Sequence, residues 1–455
     1  MADSATRLSK LVNQRFEDNN QISSTPKIQR VPVFLHENPN FYRYCTPKMI
    51  SFGPIHHRNE NLKQQEHLKS QWTWLYIEEY TKQVSLYNGN KQEAANYLYG
   101  VVGDNIGELK ELFAEDVVEG YSDEELIWML FEDGCSLLYY MEHVDDQCPE
   151  ELRLKLDQLM YTWRDILLLE NQLPVKLLQL LSAKKGADLE YLMLNFLGMG
   201  DGTRSGTEMV ILGPTRNHIL DFVRSFVVDT ETEENIPSQQ NGGNQMPPPP
   251  SQVWQTYKNI RDLKNSGIQV KKVKNENEGT WKWHKISFTS RWFSGELTLP
   301  CYVYNDVTIY LFRNFIAYEM CPDFRNTFEC CSFFSFMDSL IDDAEDVKEL
   351  RSAGVIQNLL RSDQELAEFL NDITHDLPTK MFNQFLPVDA AVFSKKYIQV
   401  KFQIEKHYSN TWKTWLAEAR STYFNSPWSL LAVLAAFTAL VLTFIQTWYA
   451  MHPNN

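Results

Sequence analysis

Several long stretches of the chain combine apolar runs with local helix signals, and this pattern predicts a mainly α-helical fold. Residues 60–100 have a helical composition. A clear helix start stands at Ser122, because Ser122 and Glu125 form a capping box in which each side chain bonds the other residue's backbone N–H. The apolar run that follows it, and a second one over 152–181, indicate central helices. Pro174 should break or kink the second run.

Polar residues interrupt that second run in the segment DILLLENQLP, residues 165–174. A polar group buried among apolar side chains costs about 1–3 kcal/mol unless it is hydrogen-bonded. We therefore expect these polar side chains to cap the broken helix and to bond neighbouring backbone. They are Asp165, Glu170, Asn171 and Gln172.

The period of the apolar positions changes between residues 286 and 311, where apolar and polar residues alternate. Alternation with a period of two is typical of half-buried strands. It predicts a small antiparallel β element, with turns at Ser294-Gly295 and Asn305-Asp306 and helices resuming over 314–378. The alternating positions are Ile286, Phe288, Leu297, Leu299, Val307, Ile309 and Leu311.

Composition divides the rest of the chain. Residues 1–27 are polar and predict a flexible N-terminus, and 28–58, rich in proline and aromatic residues, predicts an extended packed segment. We expect one domain over 28–420. A low-complexity loop, 229–252, separates its two halves.

The C-terminus has the strongest apolar signal. Residues 429–447 contain no Asp, Glu, Lys or Arg, and nineteen helical residues approach the ~30 Å thickness of a bilayer core. We therefore predict one transmembrane helix there, after a juxtamembrane segment, 395–424, and before a short tail, 448–455. The predicted anchoring residues are Trp428, Leu430, Leu431, Val433, Leu434, Phe437, Leu440, Val441, Leu442, Phe444, Ile445, Trp448 and Tyr449.

The flanks of this segment predict its orientation. Lys413 and Arg420 precede it and no Lys or Arg follows it, so the positive-inside rule places the N-terminal domain in the cytosol. The expected location is the plasma membrane or an endomembrane, with the lipid bilayer contacting residues 429–447. The N-terminus lacks the apolar run of a secretory signal peptide, which agrees with tail-anchored insertion.

Composition and charge narrow the function classes. The 455 residues include 59 Asp plus Glu against 43 Lys plus Arg, a net charge of −16, which argues against a general nucleic-acid binder. The seven cysteines show no metal-binding spacing and fit free thiols in a reducing compartment. No phosphate-binding loop, dinucleotide fingerprint, nucleophile elbow or zinc-protease motif occurs, so no catalytic residue and no cofactor is predicted.

One acidic cluster offers a weak metal site. Asp342, Asp343 and Asp346 match the D-D-x-x-D pattern that holds Mg²⁺-diphosphate in isoprenoid synthases. The alternative is an acidic first turn of a helix that begins near residue 340, favoured by the helix dipole. No second metal motif accompanies the cluster, so the second interpretation is preferred and a Mg²⁺-dependent enzyme acting on an isoprenoid diphosphate stays as the alternative function.

Seven segments, in order along the chain, resemble the plant family named domain of unknown function 247. Its motifs are similar to SFGPIHH at 51–57, EDGC at 132–135, the segment 165–174, GELTLP at 295–300, LFRNFIAYE at 311–319, FMDSLI at 336–341 and YFNSPW at 423–428. The region 198–252 departs from the family pattern.

The resemblance implies a single plant-specific domain with a C-terminal span and no established enzymatic activity. Some members are proposed as recognition determinants in self-incompatibility. We therefore expect a protein-interaction or recognition module with an unknown protein partner, contacted through its acidic surface and the region 198–252. The sequence does not predict the oligomeric state.

Overall fold

The structure is a computed structural model, and it describes the chain in segments between Pro26 and Met451. The described residues are 26–84, 87, 89–144, 152–184, 186–197, 217–228, 259–273, 283, 285–291, 294–322, 328–375, 377, 394–408 and 427–451. The predicted N-terminal segment 1–27, apart from its last two residues, and the loop 229–252 lie outside them, as does most of the region 198–252.

The described residues form eighteen α-helices and five strands. The helices are α1 (Val33–His36), α2 (Pro39–Tyr42), α3 (Lys63–Gln83), α4 (Lys91–Asp104), α5 (Ile106–Glu111), α6 (Glu115–Val118), α7 (Asp123–His143), α8 (Leu156–Ile166), α9 (Val175–Leu181), α10 (Ala187–Phe196), α11 (Ile219–Val227), α12 (Ile260–Asn265), α13 (Asp306–Glu319), α14 (Glu329–Asp338), α15 (Ala344–Ser352), α16 (Asp363–Ile373), α17 (Lys395–Tyr408) and α18 (Pro427–Met451). The strands are β1 (Ile268–Lys272), β2 (Ser287–Ser290), β3 (Gly295–Leu299), β4 (Tyr302–Tyr304) and β5 (Ile356–Asn358).

The chain divides into two compact units. Unit 1 comprises Met1–Asn235 and Asn305–Cys331, and unit 2 comprises Ile236–Tyr304 and Ser332–Asn455. Both units are therefore built from separate stretches of sequence. The mainly helical prediction is confirmed, since helices dominate the described part of the chain.

Helices α3, α4 and α7 form the centre of unit 1. The helix α7 begins at Ser122 with the predicted capping box, in which Ser122 Oγ accepts from the N–H of Glu125 and the Glu125 carboxylate accepts from the N–H of Ser122. Its buried face includes Leu130, Leu138 and Tyr140. This packing confirms the central position that its apolar sequence predicted.

The predicted break at Pro174 is also present. The run 152–181 forms α8 and α9 with a non-helical link between them, and Pro174 stands directly before α9 as its N-cap residue. The link places the polar segment 165–174 inside unit 1, where Asp165, Glu170, Asn171 and Gln172 are all buried.

The main sheet of unit 2 is mixed, not purely antiparallel as predicted. Strand β3 pairs antiparallel with β2, where Phe288 lies opposite Leu297, and parallel with β1, where Val270 lies opposite Leu297. A second sheet pairs β4 with β5 in parallel. Both parallel pairings join strands that are distant in sequence, and β1 and β5 lie outside the region 286–311 in which alternation predicted strands.

The alternating residues Val307, Ile309 and Leu311 do not form a strand. They belong to helix α13, which begins with a capping box between Asn305 and Thr308. The expected turn at Asn305-Asp306 is thus a helix start. Most side chains of α13 after Tyr310 are buried, so an apolar residue at every second position also fits a helix that packs on several sides.

Helix α18 covers the segment that was predicted to span a membrane. Within the described residues, no helix combines the length and the apolarity needed to cross a bilayer. The prediction of a transmembrane helix over 429–447 is therefore wrong.

Candidate functional site

A group of buried polar side chains connects the helices of unit 1 to its N-terminal segment; we call it the polar hub. Asp165, at the end of α8, is its most connected member. Its Oδ2 accepts from the backbone N–H groups of Lys48 at 2.8 Å, Met49 at 2.5 Å and Ile50 at 3.2 Å. Its Oδ1 accepts from Arg164 at 2.8 Å. The hub comprises Lys69, Asp133, Asp165, Glu170, Asn171 and Gln172.

Glu170 repeats this arrangement further along the same segment. Its carboxylate accepts from the N–H of Val31 at 2.8 Å and from the Tyr42 hydroxyl at 3.2 Å, and it contacts His56 Nε2 at 3.0 Å. Burial and the nearby Glu170 charge raise the pKa of Tyr42 to about 12. The neutral phenol therefore remains a hydrogen-bond donor throughout the physiological range.

The two amides of the hub bond backbone in both directions. Asn171 accepts from the N–H of Phe52 at 2.7 Å and donates to the carbonyls of Ile50 and Asp165. Gln172 donates to two carbonyls of the broken helix and accepts from the N–H of Leu220 at 3.0 Å. The expectation that these groups cap the broken helix and bond neighbouring backbone is confirmed.

Lys69 and Asp133 complete the hub with a fully buried ion pair. Lys69 Nζ lies 2.7 Å from Asp133 Oδ1 and also donates to the carbonyl of Ser51, while Asp133 Oδ2 accepts from the N–H of Gly53. Burial opposes the charge of the ammonium, yet the Asp133 and Glu66 carboxylates hold the pKa of Lys69 above its usual value. The conformation at Gly53 requires glycine, since its φ is +71° and a Cβ would lie 2.9 Å from the Gln172 carbonyl oxygen.

The hub therefore has a structural role. Its carboxylates and amides are occupied by backbone groups and by each other, and every member is at most 2 % exposed. Such a network can hold the N-terminal segment in one conformation. It does not present a general base or nucleophile to a substrate.

The three carboxylates of the weak metal candidate are engaged within unit 2. Asp343 is the N-cap of α15 and forms a capping box with Asp346. Arg261 binds both of them, with Nη2 2.7 Å from Asp343 and Nε 2.9 Å from Asp346, and Asp342 accepts from the Asn259 amide at 2.7 Å. Desolvation raises the pKa of Asp343, but the hydrogen bonds from Arg261 and from the helix N–H groups outweigh it. The pKa of Asp343 is therefore lowered. Asp343 and Asp346 thus form the acidic start of a helix, which was the preferred interpretation. Separately, within the described residues no cluster has the arrangement of a metal site.

A surface of unit 1 that the sequence did not predict lies beside the hub. Tyr310, on α13, is its centre: its ring lies 4.7 Å from the Tyr44 ring, 4.4 Å from the Arg164 guanidinium and 5.7 Å from Lys48 Nζ. Arg164 also lies 4.7 Å from the Tyr161 ring, and Arg43 lies 4.7 Å from the Tyr44 ring. We call this set the tyrosine–arginine surface. Its members are Arg43, Tyr44, Lys48, Tyr161, Arg164 and Tyr310.

An apolar edge continues this surface along α8. Leu156 is 70 % exposed and Met160 48 % exposed, and Tyr161 beside them is 46 % exposed. Leu156, Met160 and Arg164 are spaced four residues apart and so lie along one side of the helix. Exposed Met and Tyr together with Arg are the residue types enriched at protein interfaces.

The residues that were predicted to anchor the chain lie on α18. Among the described side chains of this helix, the large apolar ones are exposed, and they are Leu431, Leu434, Phe437, Leu440, Val441, Leu442, Phe444, Ile445, Trp448 and Met451. The side chains of Trp428, Leu430, Val433 and Tyr449 lie outside the described part of the structure. No residue of α18 belongs to the hub or to the tyrosine–arginine surface.

Comparisons with known proteins agree with the resemblance of the motifs. The family model DUF247, described as plant protein of unknown function, matches residues 28–442. One similar relative, a UPF0481 protein of Arabidopsis thaliana, is 25% identical over 93% of this chain and 86% of its own length. A second, a putative UPF0481 protein of the same plant, is 21% identical over 96% of this chain and 92% of its own. No solved structure matches the chain.

Proposed function

The chain belongs to the DUF247 family of plant proteins of unknown function, and on that premise we propose that unit 1 is a protein-binding module. It recognises its partner through the tyrosine–arginine surface and the adjoining apolar edge of α8. The single observation that supports this function is the exposure of Leu156, Met160 and Tyr161 beside a cluster of arginine and tyrosine side chains.

The composition of this surface is that of a binding hot spot. Tyrosine and arginine are enriched among the few residues that supply most of the binding free energy at protein interfaces. Both combine a large contact area with directed hydrogen bonds. Here the rings and the guanidinium groups already contact one another. Binding therefore costs less side-chain entropy than it would at a surface of mobile side chains.

The buried hydrogen bonds of the polar hub hold the residues of the tyrosine–arginine surface in place. Asp165 holds the backbone of Lys48 and, through its other oxygen, the guanidinium of Arg164. Asn314, one helical turn beyond Tyr310, donates to the Tyr44 carbonyl and accepts from the N–H of Leu169. The three stretches of sequence that supply the surface are thus cross-linked by buried hydrogen bonds, which supports a preformed binding surface.

Photo-crosslinking from two matched tyrosines tests the proposal. We would replace Tyr161, on the surface, and Tyr97, which is 51 % exposed on α4, each with benzoylphenylalanine in the full chain. We expect irradiation in extracts of the source plant to yield a discrete adduct from position 161 and none from position 97. Excess unmodified chain should suppress this adduct, whereas the Met160→Glu variant should compete poorly. Equal labelling from both positions, or no adduct from position 161, would contradict the proposed function.

A further inference from the structure

We infer that the tyrosine–arginine surface receives an extended acidic peptide segment, in which apolar side chains and carboxylates lie on the same face. This inference rests on the proposed function and adds the chemistry of the partner. It follows from the charge of the surface, from the hydrogen-bonding state of its hydroxyl groups and from the spacing of its apolar edge.

The first argument is charge. The chain as a whole carries −16, and many of its exposed cations are paired with carboxylates, as Lys63 is with Glu60 and Lys110 with Asp123. Arg43 and Lys48 are exposed, and no carboxylate among the described residues forms an ion pair with either of them. The tyrosine–arginine surface is therefore a local cationic region on an acidic protein.

The positive charge of the surface comes from its exposed side. Arg164 and Arg313 also contact the tyrosine rings, but both are buried and Arg164 is paired with Asp165. Arg43 and Lys48 are the exposed cations, and each lies against a tyrosine ring. An approaching cationic segment would be repelled, and an acidic one attracted.

The second argument concerns the hydroxyl groups. Lys48 Nζ donates to the Tyr310 oxygen at 3.2 Å, and Arg43 Nη2 donates to the Tyr44 oxygen at 2.8 Å. Lys and Arg are donors only, so both hydroxyl oxygens act as acceptors and each keeps its own O–H to donate. Among the described residues neither O–H has an acceptor. A carboxylate placed here would accept from a hydroxyl and from the adjacent cation at once, and such charge-assisted bonds are the strong ones.

The third argument is spacing. Leu156, Met160 and Arg164 extend over eight helical residues, about 12 Å along α8. That is the length of about four residues of extended chain. In an extended chain, residues two positions apart point to the same face. A segment with apolar residues at two such positions and a carboxylate at the next one can therefore place its apolar side chains on Leu156 and Met160. Its carboxylate then lies at the Arg164 end of the line, beside Tyr310 and Lys48.

Fluorescence anisotropy on the full chain tests this inference. The probe is a fluorescein-labelled synthetic octapeptide, Ser-Leu-Ser-Leu-Ser-Glu-Ser-Glu, which carries leucine and glutamate on the same face when extended. In the comparison probe, lysine replaces both glutamates. We expect the acidic peptide to bind and the basic one not to bind. Binding should weaken as salt is raised from about 50 to 300 mM, because the exposed cations are screened.

Charge-reversal variants locate the binding. We expect Lys48→Glu and Arg43→Glu each to weaken the acidic peptide about tenfold or more, the scale of one close charge pair. Lys82→Glu makes the same charge change on an exposed residue of α3 and should leave binding unchanged. Circular dichroism would confirm that all three variants keep the helical content of the parent chain.

The outcomes separate this inference from the proposed function. If Tyr161 cross-links a partner but acidic and basic peptides bind alike, the module remains and its acidic specificity is refuted. Equal weakening by Lys82→Glu would also refute it, because the effect would then come from net charge. So would binding to phosphatidylserine vesicles without binding to the acidic peptide, since the surface would then recognise lipid.

Discussion

Each oxygen of the Asp165 carboxylate has its own partners, three consecutive backbone N–H groups for one and the Arg164 guanidinium for the other. Backbone donors buried in this way must be satisfied somewhere. A side chain that satisfies three of them determines the path of the N-terminal segment and the position of an arginine in the proposed binding surface. At the scale of single residues, fold and site therefore depend on the same carboxylate.

Asp165→Asn should destabilise unit 1 by about 3–5 kcal/mol, because it removes the charge that compensates the buried Arg164. Asp157→Asn is the matched control, since Asp157 is exposed in the first turn of the same helix and should cost under about 1 kcal/mol. Urea unfolding followed by circular dichroism measures both. Similar losses in the two variants would show that Asp165 has no special role.

The burial of His218 predicts how the folding stability of the chain changes with pH. It is fully buried as the N-cap of α11, with Nδ1 accepting from the N–H of Asp221, and burial lowers its pKa to about 4. The unfolded chain therefore binds a proton near pH 6.5 that the folded chain does not bind until about pH 4. Stability from this group is present above pH 6.5 and is lost as the pH falls towards 4, by about 3 kcal/mol in all.

His218→Asn is the variant that checks this prediction. Asparagine can still accept the helix N–H, but it does not titrate. Unfolding midpoints between pH 4 and 7 should fall more steeply in the parent chain than in the variant. Parallel pH profiles for the two proteins would refute the assignment.

At the scale of elements, Gly134 shows how closely two helices can pack. It lies on α7 against α9, and a Cβ at this position would collide with the Leu181 side chain and lie 3.3 Å from Leu177 Cδ2. Gly134→Ala should therefore destabilise the chain by about 1–3 kcal/mol despite the better helix propensity of alanine. Gly100→Ala, on α4 with nothing within 4 Å of the added atom, should instead stabilise it by about 0.5–1 kcal/mol. Thermal unfolding of the pair measures the difference, and equal shifts would contradict the close packing.

Sequence reasoning succeeded where the signal was local. The capping box at Ser122 and the break before Pro174 are contained within a few residues, and both are present. The alternation at 307–311 was misinterpreted, since a helix buried on several sides also tolerates it and the Asn305 cap decided the outcome. Strand β1 alternates only briefly, at Ile268 and Val270, and its parallel partner is about 27 residues away, so it was not predicted.

The candidate site, too, could be predicted from the sequence only where the signal was local. The structural role of the segment 165–174 could be predicted, because buried polar groups must be bonded. The tyrosine–arginine surface could not, since its members come from residues 43–48, 161–164 and 310, and tertiary packing brings them together. The spacing of the acidic cluster at 342–346 was ambiguous, because both a helix start and a metal site can use it. The structure shows the helix start.

At the scale of the whole molecule, unit 1 depends on a stretch of sequence that follows part of unit 2. The stretch Asn305–Cys331 supplies Asn314, which accepts from the N–H of Leu169, and Glu319, which binds the buried Arg224 at 2.6 Å. A chain ending at Tyr304 should therefore leave a buried guanidinium and a buried N–H without partners, at a cost of several kcal/mol. We expect it to be insoluble or partly unfolded, as judged by near-ultraviolet circular dichroism. A chain ending at Tyr408 keeps all of unit 1 and is the control; equal native signals would contradict the dependence.

The same arrangement has a consequence for biosynthesis. Arg224 and Glu319 are 95 residues apart, so at about 5–20 residues per second a ribosome needs roughly 5–20 s to make the second after the first. During that time all the residues of α3 to α11 have been synthesised, yet the helix that completes their unit has not. During this interval the nascent chain exposes apolar surface to solvent. A chaperone would therefore be needed most at this time.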